Sequence, residues 1–139
     1  MSNVLYTRAK LKILQATINL VSDDIRAVLV DIAAYTFDRD AHEFLSSVPG
    51  GARVGSPVAL GSKSLAIITN AIEFDAADTV FTAVTGATVE AVVLYKYNAS
   101  DALAPLVAYI DTATGLPATP VGTNITIAWP NGAGKIFKW

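Results

Sequence analysis

Apolar residues recur along this chain with two different periods, and the change comes at Pro49. In the first segment, Tyr6 to Thr17, Leu11, Leu14 and Ile18 lie at helical spacing. Arg8, Ala9, Lys10, Leu11, Lys12, Leu14, Gln15 and Ala16 are good helix formers, and Thr7 can cap them. Ala9, Leu11 and Ile13 also alternate with charges as a strand would, but the helix is the favoured reading. Ile25 to Tyr35 is rich in β-branched residues and follows the turn-like Ser22-Asp23-Asp24, which predicts a largely buried strand. Between Phe37 and Val48, Asp40 is placed to start one or two helical turns, with Phe44, Leu45 and Val48 as their apolar face.

No glycine or proline precedes Pro49, and after it they fall at short intervals. That punctuation predicts short strands separated by turns. The candidates are Ser56–Leu60, Ser64–Thr69, Ala71–Phe74, Val80–Ala83, Val89–Tyr97, Leu106–Asp111, Asn124–Trp129 and Ile136–Trp139. Asp75 to Asp78 and Asn98 to Asp101 supply turns. In Asn124–Trp129 the alternation puts Ile125, Ile127 and Trp129 on one, inward side. About eight strands and one helix predict a mainly β chain: an antiparallel β-sandwich, jelly-roll-like, with a short N-terminal helix. At 139 residues, without a linker-like stretch, residues 1–139 read as a single domain.

Composition narrows the chemistry. Hydrophobic residues make up 53% and charged residues 16%, which excludes a disordered chain. Mean hydropathy is +0.45. No apolar run approaches the roughly 18 residues of a membrane span, so a partner covering apolar surface competes with a compact β core as the explanation. The absence of cysteine removes disulfides and thiolate metal sites, and a single histidine removes multi-histidine zinc sites. A net charge of -2 does not favour a nucleic-acid surface.

Three groups of residues remain as candidates. Asp38, Asp40, His42 and Glu43 gather acids around the only histidine. They lack the alternating oxygen ligands and sixth-position glycine of a calcium loop, so capping and local hydrogen bonds are the expected roles, with no metal and no cofactor. The glycine-rich Pro49–Gly55 lacks the lysine and hydroxyl that follow a phosphate-binding loop and reads as a surface hairpin; Gly132-Ala133-Gly134-Lys135 has no helix after it to hold a phosphate. The third group is terminal. Arg8, Lys10 and Lys12 form a basic end with no acid before Asp23, suited to an acidic partner surface or simply to a solvated helix face. Phe137 and Trp139 lie in a final strand that either docks in the core or anchors a neighbour.

The stretch from Ile25 to Leu60, IRAVLVD followed by YTFDRDAHEFLSSVPGGARVGSPVAL, resembles small structural proteins of tailed bacteriophages. The likeness continues through IEFDAADTVFTAVTGATVEAVVLYK, PLVAYIDTATGLPATP and NITIAWPNGAGKIFKW, and so covers nearly the whole chain. It is one of texture and order, without a catalytic signature. The resemblance implies a virion component, most often a capsid decoration or cement protein on the outer face of the head. Such a protein is not an enzyme. It binds the major capsid protein and bridges its subunits, and touches neither nucleic acid nor membrane. A homodimer is the expected state, since exposed strand edges need cover and twofold pairing is the commonest cover. The alternative is a tail or adsorption component, a small carbohydrate-binding sandwich; a hydrolase ranks third, because every carboxylate pair also has a turn or cap reading.

Overall fold

The computed structural model describes residues 3–131 and 135–139. Gly132 to Gly134, part of the glycine-rich C-terminal run, lie outside the described residues. The chain is mainly β, with antiparallel sheets and one helix near the N-terminus. The strands are β1 (Val4–Leu5), β2 (Ile25–Val30), β3 (Arg53–Ala59), β4 (Ser64–Ile68) and β5 (Ala71–Asp75), then β6 (Thr79–Phe81), β7 (Ala91–Lys96), β8 (Leu106–Ile110), β9 (Ile125–Ile127) and β10 (Phe137–Lys138). Helix α1 spans Thr7–Leu14. Five strands form one sheet in the order β1-β8-β7-β2-β3, three form another in the order β10-β5-β4, and β6 pairs with β9.

The large sheet is covered on both faces, which explains why its central strands read as unbroken apolar runs. In β7, Val92 and Leu94 point to one face, together with Ala27 and Leu29 of β2 and Ile110 of β8. Phe74, Phe81, Ile127, Trp129 and Phe137 of the smaller sheets and their flanks pack onto that face, a sandwich-like layering. The opposite face carries Ala91, Val93, Tyr95, Val28, Val30 and Tyr109. The segment from Tyr35 to Ala52 closes over it, contributing Tyr35, Leu45, Val48 and Ala52. Trp129 is inward, as its alternation predicts, and its indole N–H donates to Thr79 Oγ1 at 3.2 Å.

Several local expectations need correction. Thr7 is not the helix cap: Tyr6 takes the extended N-cap position, and the Thr7 hydroxyl donates instead to Asp40 Oδ1. The helix stops at Leu14, where Ala16 adopts φ +59° and the Thr17 N–H returns to Lys12 O at 2.8 Å. Leu11 and Leu14, which lie at helical spacing, are 47% and 76% exposed, while Ala9 is buried. β2 ends at Val30 rather than Tyr35, because Asp31 folds back to accept the Ala33 N–H at 2.8 Å. Asp38, not Asp40, opens the next turn, accepting the N–H groups of Asp40 and Ala41 at 3.0 and 2.9 Å. The glycines after Pro49 form a short 3-10 turn, Gly50–Ala52, leading directly into β3.

Candidate partner-binding surface

The C-terminal strand decides where each of its aromatics goes. Phe137 pairs with Phe74 across the β10–β5 ladder, and the two rings stack with centroids 5.1 Å apart. Trp139 continues that ladder by exchanging two hydrogen bonds with Ile72, at 2.7 and 2.8 Å. Residues two apart on a strand share a face. The core runs out between them, however: Phe137 is 5% exposed and Trp139 is 43% exposed. Phe137 is therefore a core residue without surface to offer a partner, and Trp139 alone retains the geometry of an anchor.

The three basic residues of α1 also part company. Residues two apart on a helix point roughly 200° from each other, and residues four apart point the same way. Lys12 turns toward the protein, meeting Glu43 at 2.9 Å and lying 5.2 Å from the centre of the Phe44 ring. Lys10 turns the other way, to a hollow of about 130 Å³ that it lines with Trp139, Lys138 and Arg39. Arg8 is exposed and lies away from that hollow.

The hollow is assembled by backbone and side-chain ties. The Thr7 N–H donates to Arg39 O at 3.0 Å, which fastens the 37–42 loop to the start of the helix. Asn3 donates from Nδ2 to Ile136 O at 2.7 Å and accepts from Thr112 Oγ1 at 2.7 Å, which fixes the start of β10 against the large sheet. Among the described residues neither Lys10 nor Lys138 has a carboxylate within ion-pair distance, while Arg39 Nε is 3.7 Å from Asp40. A larger open hollow of about 390 Å³ adjoins it, sharing Val4 and Arg39 and adding Phe37, Asp38 and Asp40. Its floor is Phe37, which stacks on Tyr109 at 4.3 Å and meets Tyr6 edge-on at 5.3 Å.

The acidic cluster around the histidine is dispersed into separate partnerships. Asp38 caps its own turn, which holds its carboxyl below the usual carboxylate range. Asp40 receives Thr7, Glu43 holds Lys12, and His42 Nδ1 meets the Tyr35 hydroxyl at 2.9 Å. Behind His42, Tyr35 hydrogen-bonds the buried Tyr6 hydroxyl at 2.9 Å. Burial pushes the Tyr35 phenol up to about 12 and the Tyr6 phenol up as well. This arrangement fastens a loop to the sheet; its acids do not converge on a common point.

Sequence reasoning missed Arg39 and Lys138 as members of the surface. Arg39 was hidden inside an acidic stretch, and only the turn set by Asp38 and the tie to Thr7 bring it beside Lys10. No protein-family model matches the chain, and no curated protein sequence matches it.

Proposed function

We propose that the chain is a non-enzymatic structural protein of a tailed-phage virion. In this reading it binds the outer surface of the capsid and bridges major capsid subunits, so that expansion or rupture of the head must first break its contacts. The observation that carries the reading is the meeting of Trp139 with Lys10, Arg39 and Lys138 around one hollow. A half-exposed aromatic among cations suits docking onto a fixed acidic protein surface. The cations speed and orient the encounter, and a tryptophan that becomes fully desolvated contributes about 2 kcal/mol or more. Repetition over a symmetric lattice turns modest single contacts into firm attachment. The phage-like texture of the sequence, from Ile25 to the C-terminus, supports a structural role in the virion. No cofactor, nucleic acid or membrane enters this mechanism.

The test is sedimentation of the purified protein with heads that lack it. The expected result is saturable binding to heads, lowered roughly 30-fold by Trp139→Ala. Lys10→Glu should slow attachment and weaken its salt dependence while leaving thermal stability unchanged. Binding to separated tails in place of heads would overturn the proposal.

A further inference from the structure

Most strand edges of this molecule carry a feature that discourages pairing with another chain, and β4 does not. In the large sheet, β1 is two residues long, while β3 contains Pro57, holds Gly55 at φ +69° and shifts register against β2 between Ala27 and Leu29. β10 is two residues long and includes Lys138; β6 and β9 have three residues each. Shortness, prolines, bulges and lysines are the usual protections of an edge. β4 has five residues, and from Ser64 through Ile72 there is no charge, proline or glycine.

The ladder shows which backbone groups that edge presents. Ile72 exchanges its hydrogen bonds with Trp139, and Phe74 O accepts the Ile136 N–H at 3.0 Å, so these β5 groups point toward β10. Their partners across the β4–β5 ladder are Ile67 and Leu65. In an antiparallel ladder these must point the opposite way, so the N–H and C=O groups of Leu65 and Ile67 lie on the outer edge. Among the described residues no strand pairs with that edge. On the face shared with Phe74 and Ile72, Leu65 is 48% exposed and Ile67 83%. Leu65 also borders a cleft of about 280 Å³ lined by Ile13, Ile18 and Leu20.

We propose that β4 pairs antiparallel with β4 of a second copy, about a twofold axis at Ala66. Leu65 then faces the partner's Ile67, and Ile67 faces the partner's Leu65. Each facing pair exchanges both of its backbone hydrogen bonds, and the two three-stranded sheets become one of six strands. The pairing sets the partner's Ile67, the most exposed large apolar side chain of the hairpin, on the same face as Leu65, at the mouth of the Ile13–Ile18–Leu20 cleft. Self-complementarity selects a second copy as the occupant. Leu65 and Ile67 are matched in size on either side of Ala66, the strand has no charge to meet its own image, and the knob and the cleft belong to the same chain. The proposal stands on the strand edge and holds whether or not the chain belongs to a virion.

One short strand pair lies at the small end of specific interfaces, so the dissociation constant is expected on the order of micromolar. Sedimentation at protein concentrations well above that should give twice the chain mass of 14.6 kDa. Ile67→Lys, at a site already exposed to water, should keep the fold and weaken dimerisation roughly tenfold or more, because the new charge would face the partner's Leu65. Leu14→Lys, on the exposed helix surface, should leave the dimer intact. The chain has no cysteine, so Ala66→Cys introduces a single thiol. At the twofold, the two Cα atoms would stand about 4.5 Å apart, close enough for a disulfide. Mild oxidation should therefore cross-link Ala66→Cys into a covalent dimer. Ser64→Cys should not cross-link, since its thiols would lie about four residues apart along the strands, roughly 13 Å. A monomer at high concentration, a dimer insensitive to Ile67→Lys, or cross-linking at residue 64 in preference to 66 would each overturn the proposal.

Discussion

Phe137 and Trp139 share one strand face, yet alanine is expected to do different damage at each. Phe137→Ala empties a site in the core beside Phe74 and should cost about 3–5 kcal/mol in urea or thermal unfolding. Trp139→Ala removes a half-exposed ring and should leave a folded protein that docks poorly. The two readings, core strand or anchor, were both legible in the sequence. Which of the two is buried was not, because it depends on where the layer of Phe74, Phe81 and Ile127 ends. A second residue-scale expectation concerns alkaline pH. Burial raises Tyr35 from 10.0 to about 12 and raises Tyr6 also, so both phenols hold their protons in the folded chain after the unfolded chain has released them. The folded state then binds more protons, and stability, full below about pH 10, falls as pH rises above it. Tyr35→Phe should make that fall shallower in urea denaturations at about pH 9 and pH 11. It should also lower stability near neutrality by about 1–3 kcal/mol, since the buried Tyr6 hydroxyl loses its partner.

Among the elements, β2, β7 and β8 were the most legible because burial on both faces leaves a dense apolar run in each. The ends of elements were less so. The predicted strand over Ile25–Tyr35 ran past Asp31, whose side chain competes for the backbone, and the predicted strand over Ser56–Leu60 began late because β3 starts at Arg53, directly after the Gly50–Ala52 turn. Helix α1 stops short of Thr17 because Ala16 takes a left-handed conformation, which its composition does not announce. That conformation is costly for alanine and free for glycine. Ala16→Gly is accordingly expected to raise the unfolding free energy by about 0.5–1 kcal/mol, a rise that a thermal melt would detect. An unchanged or lowered melting temperature would mean that the helix end is not strained. The exposed helix residues Leu11 and Leu14 show a related limit: helical spacing reveals that residues share a face, but not whether that face meets the core.

At the scale of the whole molecule, a mean hydropathy of +0.45 has a structural explanation that needs no membrane. A sheet covered on one face by smaller sheets and on the other by the segment from Tyr35 to Ala52 requires apolar residues on both sides of every central strand. Apolar surface nevertheless remains at Ile67, Leu14 and Trp139, so burial in the core accounts for only part of that hydropathy. The basic hollow was the least legible feature. Its members come from the helix, a loop and the last strand, and no spacing in the sequence links Lys10, Arg39 and Lys138.

The central position of β7 has a consequence for isotope exchange. The strand is flanked by β2 and β8, and its residues from Ala91 through Leu94 are inaccessible to solvent. Its amides have no fraying edge and no uncovered face through which water could reach them, so deuterium should enter them only when the entire chain opens. The amides of Val92, Val93 and Leu94 are therefore expected to be among the slowest to exchange, at a common free energy equal to that from chemical denaturation. Faster exchange there than in β8 would reveal a partial opening that splits the large sheet. If the pattern holds, mass-resolved labelling of peptides from β7 would report how often the protein unfolds even inside a large assembly, where spectroscopy of the isolated chain is impossible.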